Sequence, residues 1–250
     1  MARVNAVVRS VGILDAVSQS RSGSLTMSEL AVHLVVPKSS MHDLCQTLVD
    51  VGLLRQTTPK TYSLGLRVLE FGRAYRNQFS MVDDFLSHVR QKSFFIEETS
   101  VLAVLDGLEV VYIACHRGVR LLGVDYETGL RLPAVTTATG KALLSTLSDD
   151  EVVDRLKGAK FHAFSNRGTM TIDSLLAELR EVRRRGYAID DEETAANMCC
   201  IGAAVGGDEN GPASAAVAVS LVKQQGTIPR KEEAVQAIMA LSKQLSYRVA

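Results

Sequence analysis

The 250-residue sequence has no tryptophan, and neither sign of charge prevails: 28 Lys and Arg face 28 Asp and Glu, a formal net charge of zero. A basic or acidic surface running over the whole chain is excluded. No apolar run reaches the ~18 residues that cross a bilayer. The start, MARVNAVVRS, also lacks the unbroken apolar stretch and small-residue cleavage site of a secretory signal. The expected setting is the cytoplasm, with no membrane partner.

Cysteine is scarce, and its spacing suits neither metal nor disulfide. Cys45, Cys115, Cys199 and Cys200 form no C-x-x-C and no paired Cys/His pattern, so no metal, zinc included, and no disulfide framework is expected. Cys199 and Cys200 sit in the apolar run MCCIGAAV, where a strand would send them to opposite faces, as buried thiols. No G-x-S-x-G, H-E-x-x-H or phosphate-loop string is present, and nothing calls for a cofactor.

What is present is an ordinary soluble composition, 46% apolar and 22% charged, with enough chain for two domains. Its charge is unevenly placed. Residues 1–79 hold nine Lys and Arg against five Asp and Glu, a net of +4, and residues 80–250 hold 19 against 23, a net of −4. That is the sign expected of a nucleic-acid module beside a neutral or acidic partner.

Val4, Val7, Val8, Val11, Leu14 and Val17 have the spacing of one amphipathic helix, ending near Ser20 to Gly23. Thr26-x-x-Glu29 is a capping box, which predicts a second helix from Met27 to His33. Pro37 and Gly52 bound a third, whose buried stripe is Met41, Leu44, Cys45 and Leu48. Its polar stripe is Ser39, His42, Asp43, Gln46 and Asp50, side chains of a length that reaches base edges, while Lys38 and Ser39 stand where a helix N-terminus meets phosphate. Leu53 to Thr57 and Lys60 to Leu64 flank Thr58-Pro59 as a hairpin with Arg55 and Lys60 near its tip. Three helices and a basic hairpin spell a winged helix-turn-helix over residues 1–64. Its candidate DNA contacts are Thr26, Ser28, Lys38, Ser39, Ser40, His42, Asp43, Gln46, Arg55 and Lys60.

Residues 65–79 read as a linker helix with Leu66, Leu69 and Phe71 apolar, and Met81, Phe85, Leu86 and Val89 open another helix. Ser100 to Leu105 and Glu109 to Cys115 form a hairpin around Asp106-Gly107, and Leu121 to Val124 is a candidate third strand. Ser148-x-x-Glu151 caps a helix, and Ile172 to Arg185 forms one that Gly186 ends. Strands follow at Tyr187 to Asp190, Met198 to Val205 and Ser214 to Leu221, with a turn at Asn210-Gly211 and a last helix from Pro229 carrying Val235, Ile238, Leu241 and Leu245. The grouping predicts an α+β domain with an antiparallel sheet over residues 80–250.

Several strings resemble the IclR family of bacterial transcription regulators, along essentially the whole chain. They are LTMSELA, VPKSSMH, TYSLGLRVLEFG, TTATGKALLS and, most specifically, GYAIDDEETAANMCCIGAAV, in which Gly186, Asp190, Glu193, Cys200, Ile201 and Val205 keep the family's spacing. The resemblance implies a linker helix that dimerises and a GAF-like effector domain. It implies a small organic effector, commonly a carboxylate or aromatic catabolite, and dimers that often pair into tetramers on palindromic double-stranded operators. Carried over, the effector pocket comprises Leu121, Val124, Leu132, Ala138, Thr139, Gly140, Asp190, Met198, Cys200, Ala218 and Ser220. Four places depart from the family pattern: Asp43 replaces an arginine, Ala204 a proline, Gly206-Gly207 a bulky residue and its follower, and Ala218 a serine of some members.

Two other classes compete. His116, Asp190, Glu192, Glu193 and Cys200 supply acid, base and nucleophile types for an enzyme, and Cys199 with Cys200 could serve a thiol sensor. The bland readings are a solvated loop or helix start for Asp190 to Glu193, a loop position for His116, and dipole compensation at a helix end for Arg183-Arg184-Arg185.

Overall fold

The computed structural model describes residues 4–58, 60–78, 80–119, 126–158, 171–207, 211–223 and 228–246. The chain divides into two compact units, 1–79 and 80–250.

The first unit runs α1 (Asn5–Gln19), β1 (Ser24–Thr26), α2 (Met27–His33), α3 (Lys38–Asp50), β2 (Leu54–Thr58), β3 (Thr61–Leu64) and α4 (Arg67–Arg76). The capping box forms as spaced: Glu29 donates its N–H to Thr26 Oγ1 at 3.2 Å, and Glu29 Oε2 accepts the Thr26 N–H at 2.7 Å. After α3 the chain reverses at Gly52, whose φ of +77° is left-handed backbone that a side chain would strain. β1, β3 and β2 make a three-stranded antiparallel sheet in that order. Ile13, Val17, Leu30, Met41, Cys45, Leu48, Leu54 and Tyr62 pack into one core. This is the winged helix, with a short extra strand, β1, too brief to show alternation in sequence.

Two apolar stripes are not fully used inside this unit. Val4, Val7, Val8 and Val11 of the predicted amphipathic stripe are 50–66% exposed, whereas Val17 of the same stripe is buried beside Ile13 and Ala16 and Leu14 packs against that core. Likewise α4 buries no residue, with Leu66, Leu69, Phe71 and Tyr75 exposed.

The second unit runs α5 (Met81–Gln91), α6 (Ser93–Glu97), β4 (Thr99–Asp106), β5 (Glu109–His116), β6 (Arg131–Pro133), α7 (Ala138–Leu144), α8 (Asp149–Leu156), α9 (Ile172–Arg185), β7 (Ala188–Asp191), β8 (Met198–Val205), β9 (Ala215–Val222) and α10 (Ile228–Ser246). The strands form one antiparallel sheet in the order β6-β5-β4-β9-β8-β7. Helices cover both faces. α7, α8 and α9 share a core with Val101, Ala103, Val110, Tyr112, Cys200, Ala216 and Ala218, while α5 and α10 pack on the other side of the strands. The α+β expectation holds.

Several local expectations change. The third strand predicted at Leu121 to Val124 lies outside the described residues, and β6 occupies the sheet edge beside β5. His116 is the last residue of β5 and is half-buried, because the strand runs one residue beyond its apolar pattern. The acidic run is not a solvated loop: Asp190 is 2% exposed, Glu193 meets Lys141 at 2.6 Å, and Lys223 meets Asp191 at 2.8 Å and Glu192 at 2.6 Å. Arg183 does more than answer a dipole. Its guanidinium donates to the carbonyls of Ser145 and Leu147 and pairs with Asp149, tying α9 to the α7–α8 turn.

Candidate functional site

In the winged helix, α2 and α3 begin differently. α2 has its own capping box and an acidic first turn; α3 starts after Pro37 with no side-chain cap and no acid in its first turn. Free N–H groups and an unopposed dipole at the start of a 13-residue helix suit an incoming anion. Lys38 and Ser39 are exposed there and Ser40 is half-buried. Further along, His42, Asp43 and Gln46 are exposed on the same helix, and Gln46 donates to Asp50 at 2.8 Å.

Asp43 has no Lys or Arg partner among the described residues. Its nearest opposite group is His42 Nδ1 at 3.6 Å, with both side chains well exposed. Thr26 and Ser28 lie beside the wing, since the Lys60 carbonyl accepts the Met27 N–H at 3.3 Å and Thr26 pairs with Thr61. The Thr26 hydroxyl is engaged by Glu29. Arg55 is exposed on β2 and donates from Nε to Ser63 at 2.9 Å.

In the second unit, one cross-strand row of the sheet is polar where its neighbours are not. Asp190 stands opposite Cys200, Cys200 opposite Ser220, and Ser220 opposite Thr99, four strands in register. All four are at most 6% exposed. The next row on this face is small: Ala188, Gly202, Ala218 and Val101. Small residues are needed because α7 crosses here; a Cβ on Gly202 would stand 2.8 Å from the Ala138 backbone. Thus the small row seats α7 and the polar row lies next to it.

Tyr126 and Tyr112 join this cluster. The Tyr126 hydroxyl lies 3.9 Å from Cys200 Sγ, which is 3.3 Å from Ser220 Oγ, and the two rings meet edge to face at 5.7 Å. Burial first, then the neighbouring Cys200, pushes both phenols far above their usual range. Burial likewise raises the Cys200 thiol, with Asp190 adding to it, which opposes formation of the thiolate that nucleophilic or redox chemistry requires. Burial also raises the Asp190 carboxyl, whose Oδ1 accepts the N–H groups of Glu193 at 2.8 Å and Thr194 at 3.2 Å. Much of Asp190's hydrogen-bonding capacity therefore shapes the turn after β7.

Of the other residues read from the sequence, Ala138, Thr139, Met198 and Ala218 are buried in this half of the domain, and Leu132 packs at its edge from β6. Gly140 is buried, but its N–H is taken by Thr137 Oγ1 at 3.1 Å. Leu121 and Val124 lie outside the described residues. Sequence reading missed Thr99, Tyr112 and Tyr126, since a lone aromatic or threonine carries no local signal. It also missed Lys141: completely enclosed, this ammonium donates to Glu178 at 2.7 Å and Glu193 at 2.6 Å, joining α7 to α9 and to the turn that Asp190 shapes.

Among the described residues no group of three His, Cys, Asp or Glu is arranged to hold a metal ion, and no helix is long and apolar enough to cross a membrane. The polar row offers hydroxyl, thiol and carboxyl groups within apolar walls, an arrangement suited to holding a small molecule.

Comparison with known proteins gives the family. Residues 6–58 match the IclR helix-turn-helix domain, and residues 77–247 match the bacterial transcriptional regulator IclR C-terminal domain. The transcriptional regulator KdgR of Escherichia coli is 28% identical over 97% of this chain and 92% of its own. The structure of the Agrobacterium tumefaciens repressor BlcR is 34% identical, covers 97% of this chain and 98% of its own, and superposes with a TM-score of 0.59. An IclR homolog from Microbacterium hydrocarbonoxydans, complexed with 4-hydroxybenzoate, shares the fold at a TM-score of 0.78, with 20% identity over 98% of this chain and all of its own. These relatives are regulators and not enzymes, and this chain, from its winged helix to its sheet domain, is a DNA-binding member of the IclR family of bacterial transcriptional regulators.

Proposed function

We propose that this regulator reads a palindromic operator as a dimer, or a pair of dimers, and that a small organic effector bound in the 80–250 unit sets its affinity for DNA. The observation that carries the effector reading is the polar row Asp190, Cys200, Ser220 and Thr99, set beside α7 in an otherwise apolar face. Buried polar groups are held in such a place at a cost, and a ligand with a matching polar end recovers it. The two tyrosine rings and the aliphatic wall suit an aromatic or aliphatic catabolite with a carboxylate or hydroxyl at one end. The 4-hydroxybenzoate complex of the Microbacterium homolog is of that kind.

For DNA, the uncapped start of α3 takes a phosphate with Lys38 and Ser39, and His42, Asp43 and Gln46 face the major groove. Ser40 supports them, and Thr26, Ser28, Arg55 and Lys60 hold the backbone from α2 and the wing. With no Lys or Arg partner among the described residues, Asp43 can accept from a cytosine amino group. The uncovered valines of α1 and the bare apolar side of α4 supply the contact between copies, with residues 65–79 as the linker. The effector favours one arrangement of the dimer, and the linker helices then alter the spacing of the two α3 helices against half-sites about one helical turn apart.

The test uses the full chain, an operator selected from random duplexes, and a panel of aromatic and aliphatic acids and alcohols. One compound should change operator affinity about fivefold or more and raise the melting temperature. Ser220→Leu should abolish that response while DNA binding without ligand persists. A Ser220→Leu and Cys200→Phe protein that still responds like the wild type sinks the pocket assignment.

A further inference from the structure

The opposite face of the same sheet carries a cavity. An open cleft of about 450 Å³ lies between the β7–β8 edge and the first turns of α10, lined by Tyr187, Ile189, Ile201 and Val235. That volume falls within the roughly 300–1,000 Å³ of small-molecule sites. The sheet itself separates it from the polar row: Cys200 belongs to that row, and its neighbour Cys199, turned the other way by strand alternation, lines the cleft. Cys199 is 3% exposed.

The cleft is lined by one ammonium, Lys231, and two acids, Asp191 and Glu232, which are unequally paired. Arg230 and Lys231 both fall in the first turn of α10, which has no acidic residue, although a helix start favours anions. Arg230 is answered by Glu97 at 3.0 Å and by Glu98 and Glu233 at 2.8 Å. Lys231 lines the cleft and makes no ion pair among the described residues. It is close enough to Cys199 to oppose the burial that raises that thiol. Of the acids at the rim, Asp191 is held by Lys223 at 2.8 Å, and Glu232 is exposed. An apolar trough lined by an ammonium that has no ion pair among the described residues complements a molecule with an apolar body and one negative end.

We infer that this cleft is a second ligand site, distinct from the effector pocket, for a monocarboxylate bearing a short aliphatic chain or a ring. Its apolar body lies against Ile189, Ile201 and Val235, and its carboxylate accepts from Lys231 Nζ.

Octanoate is the probe, and the readout is methyl NMR of the full chain labelled at Ile, Val and Met. Saturable shifts are expected at Ile189, Ile201 and Val235, with Met198 in the effector half unmoved. Lys231→Met should weaken binding about tenfold, and octanol, with the same chain and no charge, should bind the wild type about tenfold more weakly than octanoate. Val235→Trp should abolish the shifts, and if that protein does not fold, Gln236→Trp at the rim serves the same end. The inference is overturned if octanoate moves Met198 and leaves the cleft methyls still, if no saturable shift appears, or if Lys231→Met and octanol bind as tightly as wild type and octanoate.

Discussion

Replacing Lys141 with methionine tests whether its ion pairs hold the effector half together. The ammonium has no exposed surface, and its two partners are unequal: Glu193 keeps 19% side-chain exposure and Glu178 32%. At an effective dielectric of ~20, each contact is worth about 4–6 kcal/mol before the ions' desolvation is subtracted. Breaking such a buried pair by removing one partner costs about 3–5 kcal/mol, because the remaining charge is stranded. Lys141→Met should therefore lose about 3–5 kcal/mol at pH 7, a large share of the ~5–15 kcal/mol of a typical domain. At ~2–4 °C per kcal/mol for a domain of this size, the melting point should fall by roughly 6–20 °C.

Acidity supplies the sign. Burial, the largest influence, already raises the Glu193 carboxyl above its ordinary value, and Lys141 is the main group opposing it. With Lys141 gone the folded-state value rises further, so between the ordinary and the raised value the native protein holds a proton that the unfolded chain has lost. Stability is then gained as pH falls from neutral toward the ordinary glutamate range, and lost as pH rises through the raised value. Urea unfolding at pH 7 and pH 5 should show the deficit shrinking in acid, and Glu193→Gln in the Lys141→Met background should restore part of it at pH 7. A loss under about 1 kcal/mol, or a deficit unchanged by both acid and Glu193→Gln, would refute the reasoning.

Gly202→Ala places a Cβ 2.8 Å from the Ala138 backbone. It should cost about 1–3 kcal/mol in urea unfolding and blunt any effector response; an unchanged midpoint means α7 does not sit on that row. Asp43→Asn should change affinity at some operator variants and not others in an anisotropy series, since an equal change at every variant is incompatible with base reading. Lys38→Ala and Lys60→Ala should each reduce the slope of log K against log salt by about 0.9, and an unaltered slope removes that lysine from the phosphate interface. Val8→Asp, on the uncovered stripe of α1, should lower the apparent mass in analytical ultracentrifugation without lowering the melting point, whereas a wild-type sedimentation profile would place the contact between copies elsewhere.

The winged helix was legible because its signals are local. A capping box at Thr26 and Glu29, Pro37 before α3 and Gly52 after it each act within one turn of chain, and each appears where spacing put it. α6 and β6, of five and three residues, escaped because nothing so short shows a period. The valine stripe of α1 was read correctly as apolar, but periodicity does not say what covers it. Even the acidic run, read as solvated, proved to be engaged by Lys141 and Lys223, residues 52 and 31 positions or so away along the chain.

By itself the sequence determined the kind of molecule: local caps, turn residues and strand alternation depend on neighbours a few positions apart, and those specify a winged helix and an antiparallel sheet domain. The family resemblance added Cys200, Ser220 and Asp190 as residues of interest. Only the tertiary structure decided that these three stand in one row with Thr99, that Tyr112 and Tyr126 join them, and that Cys199 lines a cleft on the other face. The reason is register. A strand's own pattern says which residues share a face, but their partners across the sheet depend on the register of separate segments, in the case of Thr99 and Ser220 from opposite ends of the domain, which no local signal records.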